Sequence, residues 1–323
     1  MNIINFKASL IAVLLAAALA GCSNGSSDSG GTGGTGVTTG TVTATSDVGP
    51  GVVVNGVSFN ESNATIIIND STDPGAHGGI KVGMTVKIRG SNNGTAGTAT
   101  DIEVEHAVEG TVTSTNGVDT LTVLGQTVMV SGQTLYEPAG TTFASLIVGT
   151  TKIEVYGLRD QDNVIRATLI EVEGDSDFEE ELRGTISGLD TNTSTFVLNG
   201  VTVRYNVDTI FDDGSIGDLA NGQTVEVHFN NAATSNYLAT EIEFEDIEDS
   251  EFQVSDGSEF EIEGYVTSVG FTTFEIGSQT VQTNPSTVYN DPNTFSNIVV
   301  GARVQVDGVI SGSVLVADEI DIQ

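Results

Sequence analysis

Tryptophan is absent from the 323 residues, cysteine occurs once, and Lys and Arg together number only ten against 44 Asp and Glu. A single cysteine rules out an internal disulfide and any cysteine-based metal centre. A formal charge of -34 leaves no basic footprint with which to neutralise phosphates, so nucleic acid is excluded as a partner. The same charge repels anionic lipid head groups and acidic polysaccharides unless divalent ions bridge them. With aromatics at 6%, a deep aromatic-lined pocket is not expected. The three histidines, His77, His106 and His228, fall at unrelated places in the chain. No Ser-His-Asp order, G-x-S-x-G elbow or glycine-rich phosphate loop stands out, so the chain is read as non-catalytic.

What the chain does have is an export signal. Lys7 precedes an apolar run from Ala8 to Ala20, too short to span a bilayer, which ends in Leu19-Ala20-Gly21-Cys22. This segment resembles a bacterial lipoprotein signal, and the Leu-Ala-Gly-Cys box matches residue for residue. The resemblance implies cleavage before Cys22, lipidation of its sulfur and acylation of its new amino group. Several acyl chains give stable anchoring where one is marginal. Ser23, in place of an aspartate, implies sorting to the outer membrane of a Gram-negative bacterium, on either its periplasmic or its surface face. Residues 22–39, rich in Gly, Ser and Thr, read as a flexible tether behind the lipidated cysteine.

From residue 40 the pattern is short β-type runs separated by Gly, Asn, Asp and Ser, and it recurs. Gly40, Gly110, Gly184 and Gly264 each open a unit, at spacings of 70, 74 and 80 residues. A central glycine follows at Gly83, Gly149, Gly222 and Gly301, and after it come alternating apolar residues such as Val225 and Val227. The unit closes on Ala99-Thr-Asp-Ile102, Ala167-Thr-Leu-Ile170, Ala239-Thr-Glu-Ile242 and Ala317-Asp-Glu-Ile320. Ala and Ile three apart have opposite strand parity, which requires a bulge or a strand covered on both faces. The repeats span residues 40–106, 107–174, 180–246 and 259–323.

In the second copy, strands are predicted at about 109–115, 120–124, 126–130, 151–157 and 164–173, with a helical turn near Phe143-Leu146. Three strands, a helical turn and two strands is the order of a small five-stranded OB-like β-barrel. The fold class is therefore all-β: tandem small OB-like barrels after a signal peptide and a tether. The openings Glu109-Gly110-Thr111-Val112 and Glu263-Gly264-Tyr265-Val266, the central G-x-x-V and the closing A-x-x-I resemble the bacterial family known as domain of unknown function 5666. That resemblance implies an extracytoplasmic β-domain with no established chemistry.

Negative charge concentrates between units. Asp175, Asp177, Glu179 and Glu180 lie between the second and third, and Glu243, Glu245, Asp246, Glu248 and Asp249 between the third and fourth. Clustered carboxylates supply the oxygen ligands calcium needs, although none of these stretches has calcium-loop spacing, and solvation alone also accounts for them. No other cofactor is indicated. Tyr136 and Tyr289, before the helical turns of units two and four, are the candidate ligand contacts; the competing reading is that they cap their barrels.

The expected function is that of a non-catalytic, membrane-anchored envelope or surface protein, an extended structural and interaction arm whose partner is an envelope protein or a glycan. Calcium-dependent or glycan- and protein-binding adhesion is the second reading, and a carboxylate-based hydrolase the third. Acids from neighbouring units converging on one point would favour a cation-stiffened arm, and an open cleft rimmed by tyrosines would favour ligand binding.

Overall fold

The computed structural model describes residues 34–46, 51–69, 71–72, 78–174, 180–230, 232, 236–244, 254–290 and 292–323. Unit 1 contains β1 (Gly34–Thr45), β2 (Val52–Val54), β3 (Val57–Asn60), β4 (Thr65–Ile68), β5 (Thr85–Asn92) and β6 (Ala96–Val104). Unit 2 contains β7 (Val108–Thr115), β8 (Thr120–Val123), β9 (Gln126–Met129), β10 (Leu135–Glu137), β11 (Lys152–Arg159) and β12 (Ile165–Val172). Unit 3 contains β13 (Glu180–Asp190), β14 (Thr195–Leu198), β15 (Val201–Arg204), β16 (Ile210–Asp212), β17 (Thr224–Phe229) and β18 (Ala239–Phe244). Unit 4 contains β19 (Glu259–Val269), β20 (Thr273–Ile276), β21 (Gln279–Gln282), β22 (Val288–Tyr289), β23 (Arg303–Ser311) and β24 (Val314–Ile322).

Unit 2 shows the closure. β7 pairs β8, β8 pairs β9, β9 pairs β12 in parallel, β12 pairs β11, and β11 returns to β7. This is the circular strand order of an OB-like barrel. Units 1 and 4 close by the same ladders, and unit 3 closes through the single parallel bridge Arg204–Leu238. A closed sheet has no free edge, which suits units with few large side chains. The helical turn is a short 3-10 helix in units 2, 3 and 4: Phe143–Ser145, Ile216–Asp218 and Phe295–Asn297. Each unit also carries one short strand beyond the five expected, β4, β10, β16 or β22, parallel to the closing strand.

The recurring residues have physical reasons. The central glycines have φ of +95°, +78°, +91° and +86°, a left-handed conformation that costs other residues about 1 kcal/mol or more. From that turn Gly83, Gly149, Gly222 and Gly301 each donate N–H to the first strand at 2.8 Å, to the carbonyls of Val42, Val112, Ile186 and Val266. Those same residues donate back across the turn, to Met84, Thr151, Gln223 and Ala302. The parity conflict in the closing motif is resolved by a bulge in every unit, at Thr100, Thr168, Thr240 and Asp318. Opposite it stand Gly90, Gly157 and Gly308, where a Cβ would lie 2.2, 2.4 and 2.1 Å from a carbonyl oxygen of the bulged strand; unit 3 has Phe229 there. The alanine of the motif is buried, and its carbonyl accepts from Thr134, Thr209 and Thr287 in units 2 to 4 at 2.8 to 2.9 Å.

The units do not follow one another as an extended arm. β1 pairs in parallel with β19, tying unit 1 to unit 4, and β7 meets β13, tying unit 2 to unit 3. Units 2 and 3 share one hydrophobic core cluster, while Tyr156 and Leu169 of unit 2 are buried in the core of unit 1. The expectation of an open series fails because the N-terminal half of each first strand keeps a free hydrogen-bonding side, and another unit's first strand takes it. β1 accordingly begins at Gly34, inside the segment read as tether.

The two kinds of glycine should respond differently to alanine. Gly222→Ala meets open space and should cost about 1 kcal/mol from backbone conformation alone. Gly308→Ala drives a Cβ into the Val316 carbonyl and should cost about 3 kcal/mol. Urea melts of the two variants check the order, and a neutral Gly308→Ala would contradict it.

Candidate functional site

Where units 2 and 3 join, cross-strand register lines up acids. Glu109 in β7 stands opposite Glu154 of β11 on one side and Glu181 of β13 on the other. The row runs on to Glu171 in β12 beyond Glu154, and to His228 and then Glu241 beyond Glu181. Glu109, Glu154, Glu171 and Glu181 are all buried, as is Glu226 nearby in β17. Like charges directly opposed across strands destabilise a sheet, and burial magnifies the cost of each unpaired carboxylate.

The few donors are gathered here. Lys81 of unit 1 reaches Glu171 at 2.5 Å. Glu154 accepts from the Tyr156 hydroxyl at 2.6 Å and from the Asn69 amide. Arg183 of unit 3 pairs with Glu105 and Glu103 at the end of unit 1. Between the acids sits His106, its side chain 3% exposed, with Nδ1 3.5 Å from Glu154 and Nε2 3.4 Å from Glu181. Each ring nitrogen thus faces a carboxylate partner, one in unit 2 and one in unit 3. His228 faces the same carboxylate from the other side, Nδ1 at 3.3 Å from Glu181, with Nε2 3.5 Å from Glu226.

Burial works against charge on His106, but the adjoining Glu154 carboxylate, followed by Glu181 and Glu226, outweighs it and raises the ring to about 10. Burial likewise opposes ionisation of Glu154, and His106 more than compensates, holding Glu154 below the usual carboxylate range. Tyr156 is pushed well up, first by burial and then by the Glu154 charge, so it stays a hydroxyl donor. His106 also lines a cleft of about 350 Å³ with Lys87, Glu103, Glu105, Arg159 and Glu263. The donor atoms fall into two overlapping triads, His106–Glu109–Glu181 and Glu181–Glu226–His228, each with its atoms within 4.8 Å of one another.

Of the junction acids singled out in the sequence, Asp175, Asp177, Glu179, Glu245, Asp246, Glu248 and Asp249 lie outside the described residues, as do Cys22 and His77. Glu180 accepts from the Ala232 N–H at 2.5 Å and the Thr111 hydroxyl at 3.5 Å. Glu243 stands opposite Glu226 across β17 and β18. Tyr136 and Tyr289 are half-buried, each packed on the core of its own barrel. Sequence reading missed Glu109, Glu154, Glu181 and Glu226 as a group. Glu109, Glu154 and Glu226 are single acids within strands and Glu181 ends the run Glu179-Glu180-Glu181; strand register within and between units brings them together.

The join of units 1 and 4 carries a shorter version of the same arrangement. Glu261 of β19 lies opposite Asp307 of β23, and Asp307 opposite Glu319 of β24. Neutral donors meet Glu261, the Thr38 hydroxyl at 3.2 Å and the Gln305 amide at 2.8 Å. Glu263 is held by Arg303 at 2.9 and 2.5 Å and by the Thr41 N–H at 2.9 Å. Burial, followed by the charge of Asp307, raises Glu261 to about 8.

The family model described as Domain of unknown function (DUF5666) matches residues 39–103, 109–171, 183–243 and 263–321. Among solved structures, "drosophila Unr CSD456" overlaps 67% of this chain and 99% of its own at 13% identity, with a TM-score of 0.22 that is too low to bear on fold or function. No curated protein matches the chain.

Because Glu261 ionises harder in the folded chain than in the unfolded one, its contribution to stability is fully present below about pH 4.5 and is lost as pH rises through about 8. Glu261→Gln removes that dependence. The melting temperature of the native chain relative to Glu261→Gln should therefore fall steadily from pH 5 to pH 8, and a constant difference would contradict the assignment.

Proposed function

Since the chain belongs to the family of the domain of unknown function DUF5666, four times over, we propose that it is a non-catalytic structural and interaction module, exported and fixed to the cell envelope through a lipid on Cys22. The observation that carries this reading is Leu19-Ala20-Gly21-Cys22 at the end of a short apolar run, ahead of four closed barrels. With Ser23 behind the cysteine, the destination is the outer membrane. No helix among the described residues is long and apolar enough to cross a membrane, and the acyl chains take the role of attachment.

The barrels support the interaction role by what they expose. The strand ladders close each unit and pair the units with one another, leaving the loops to meet a partner. An envelope protein with a cationic face, or a neutral glycan, fits a surface of net charge -34. The four units form a folded-back block rather than an extended arm.

Growth with labelled palmitate tests the anchor. The native chain should carry label and sediment with membranes, while Cys22→Ser should carry none and accumulate unprocessed. A native chain that is unlabelled and soluble would overturn the reading.

A further inference from the structure

A cleft of about 490 Å³ opens where units 1, 2 and 4 come together. Val42 and Val82 of unit 1, Leu135 and Leu158 of unit 2, and Tyr265 and Arg303 of unit 4 all line it. Among the described residues in its wall none is Asp or Glu, in a chain that has 44 of them, whereas two of the ten basic side chains, Arg166 and Arg303, are there. That volume suits a small organic molecule, and an apolar wall carrying a few polar groups is what such sites present.

The polar groups in this wall are only partly used. Asp160 takes Nε and Nη2 of Arg166 at 2.7 Å, and Glu263 takes Nε and Nη2 of Arg303 at 2.9 and 2.5 Å. The remaining nitrogen, Nη1, meets only the Met129 sulfur in Arg166, a weak acceptor, and no acceptor among the described residues in Arg303. Thr41, in the same wall, is 7% exposed, and its hydroxyl oxygen is buried with no hydrogen-bond partner. Buried polar groups are almost always satisfied, so this one calls for a partner from outside the chain.

The two features together define the ligand. Guanidinium donors that their own carboxylates leave over recognise a further carboxylate, through charge-assisted hydrogen bonds that a neutral group cannot match. A net charge of -34 repels free anions, so a simple inorganic anion gains too little here. An apolar body buried against Val42, Val130, Leu135 and Leu158 supplies the rest. We propose that the cleft between units 1, 2 and 4 binds a small amphipathic carboxylate, its head group met by the arginines and its apolar body by the valine and leucine wall. Such a ligand touches three repeats at once and steadies the join of unit 4 to units 1 and 2. The inference does not depend on the lipid anchor, since binding is a property of the folded units.

The test titrates octanoate into the full chain by calorimetry, with octanamide as the uncharged probe of the same apolar body. Octanoate should bind saturably, and octanamide about tenfold more weakly. Gln133 is an exposed residue of the cleft wall, where a change of charge leaves the core untouched. Gln133→Glu should weaken octanoate binding about threefold, and Gln133→Lys should strengthen it about threefold. Arg166→Gln, checked for native far-UV circular dichroism, should weaken it about tenfold. The proposal is overturned by any of three results: no saturable octanoate binding to the native chain, octanamide binding as tightly as octanoate, or an affinity unchanged in both Gln133 variants. The Gln133 comparison decides the matter even if Arg166→Gln does not fold.

Discussion

A glutamate with another glutamate directly opposite on each side is the arrangement on which the assembly of this protein turns. Glu109 occupies that position at the join of units 2 and 3. A sheet tolerates it only if positive charge or hydrogen-bond donors are brought to the same place. The chain has few to bring, and it concentrates them: Lys81, Arg183 and His106 all act between units. The other join meets the same problem with Arg303 at Glu263 and with neutral donors, Thr38 and Gln305, at Glu261, and leaves Glu261 reluctant to ionise. The two joins differ at that carboxylate, and so they should respond differently to pH.

The barrels themselves are held by backbone geometry more than by bulk. Each unit buries mostly Val, Ile and Leu, with a few aromatics such as Phe59, Phe196 and Phe274. The reciprocal hydrogen bonds between the first strand and the central glycine turn fix where the fourth strand begins. The bulge in the closing strand then shifts parity, so the alanine and the isoleucine of that motif both face the core. Fixing these two points lets a short chain close on itself, and the outer edges of the first strands remain to pair the units.

Much of this was legible in the residues. Three landmarks in one order identified four units, and in unit 2 the expected strands agree with the observed ones to within two residues at each end. The spacing of Ala and Ile left a bulge or a strand covered on both faces as alternatives, and the structure has the bulge. The short strands carrying Tyr136 and Tyr289 were not legible, because two or three residues carry no periodicity. The pairing of units was not legible either. The strand halves that join them, Gly36 to Thr39 and Glu259 to Ile262, lie at the margin of their repeats and resemble linker. The acids that converge were passed over for the same reason. Runs such as Glu245 to Asp249 attract notice through local density, whereas Glu109 and Glu181 are neighbours only through register.

The claim that the barrels associate through their first strands is tested most directly by small-angle X-ray scattering from the soluble chain. A folded-back block of about 290 residues should have a radius of gyration near 20 Å, whereas four separate barrels in a row would give about 30 Å. A value close to the first supports strand pairing between units, and a value close to the second would contradict it.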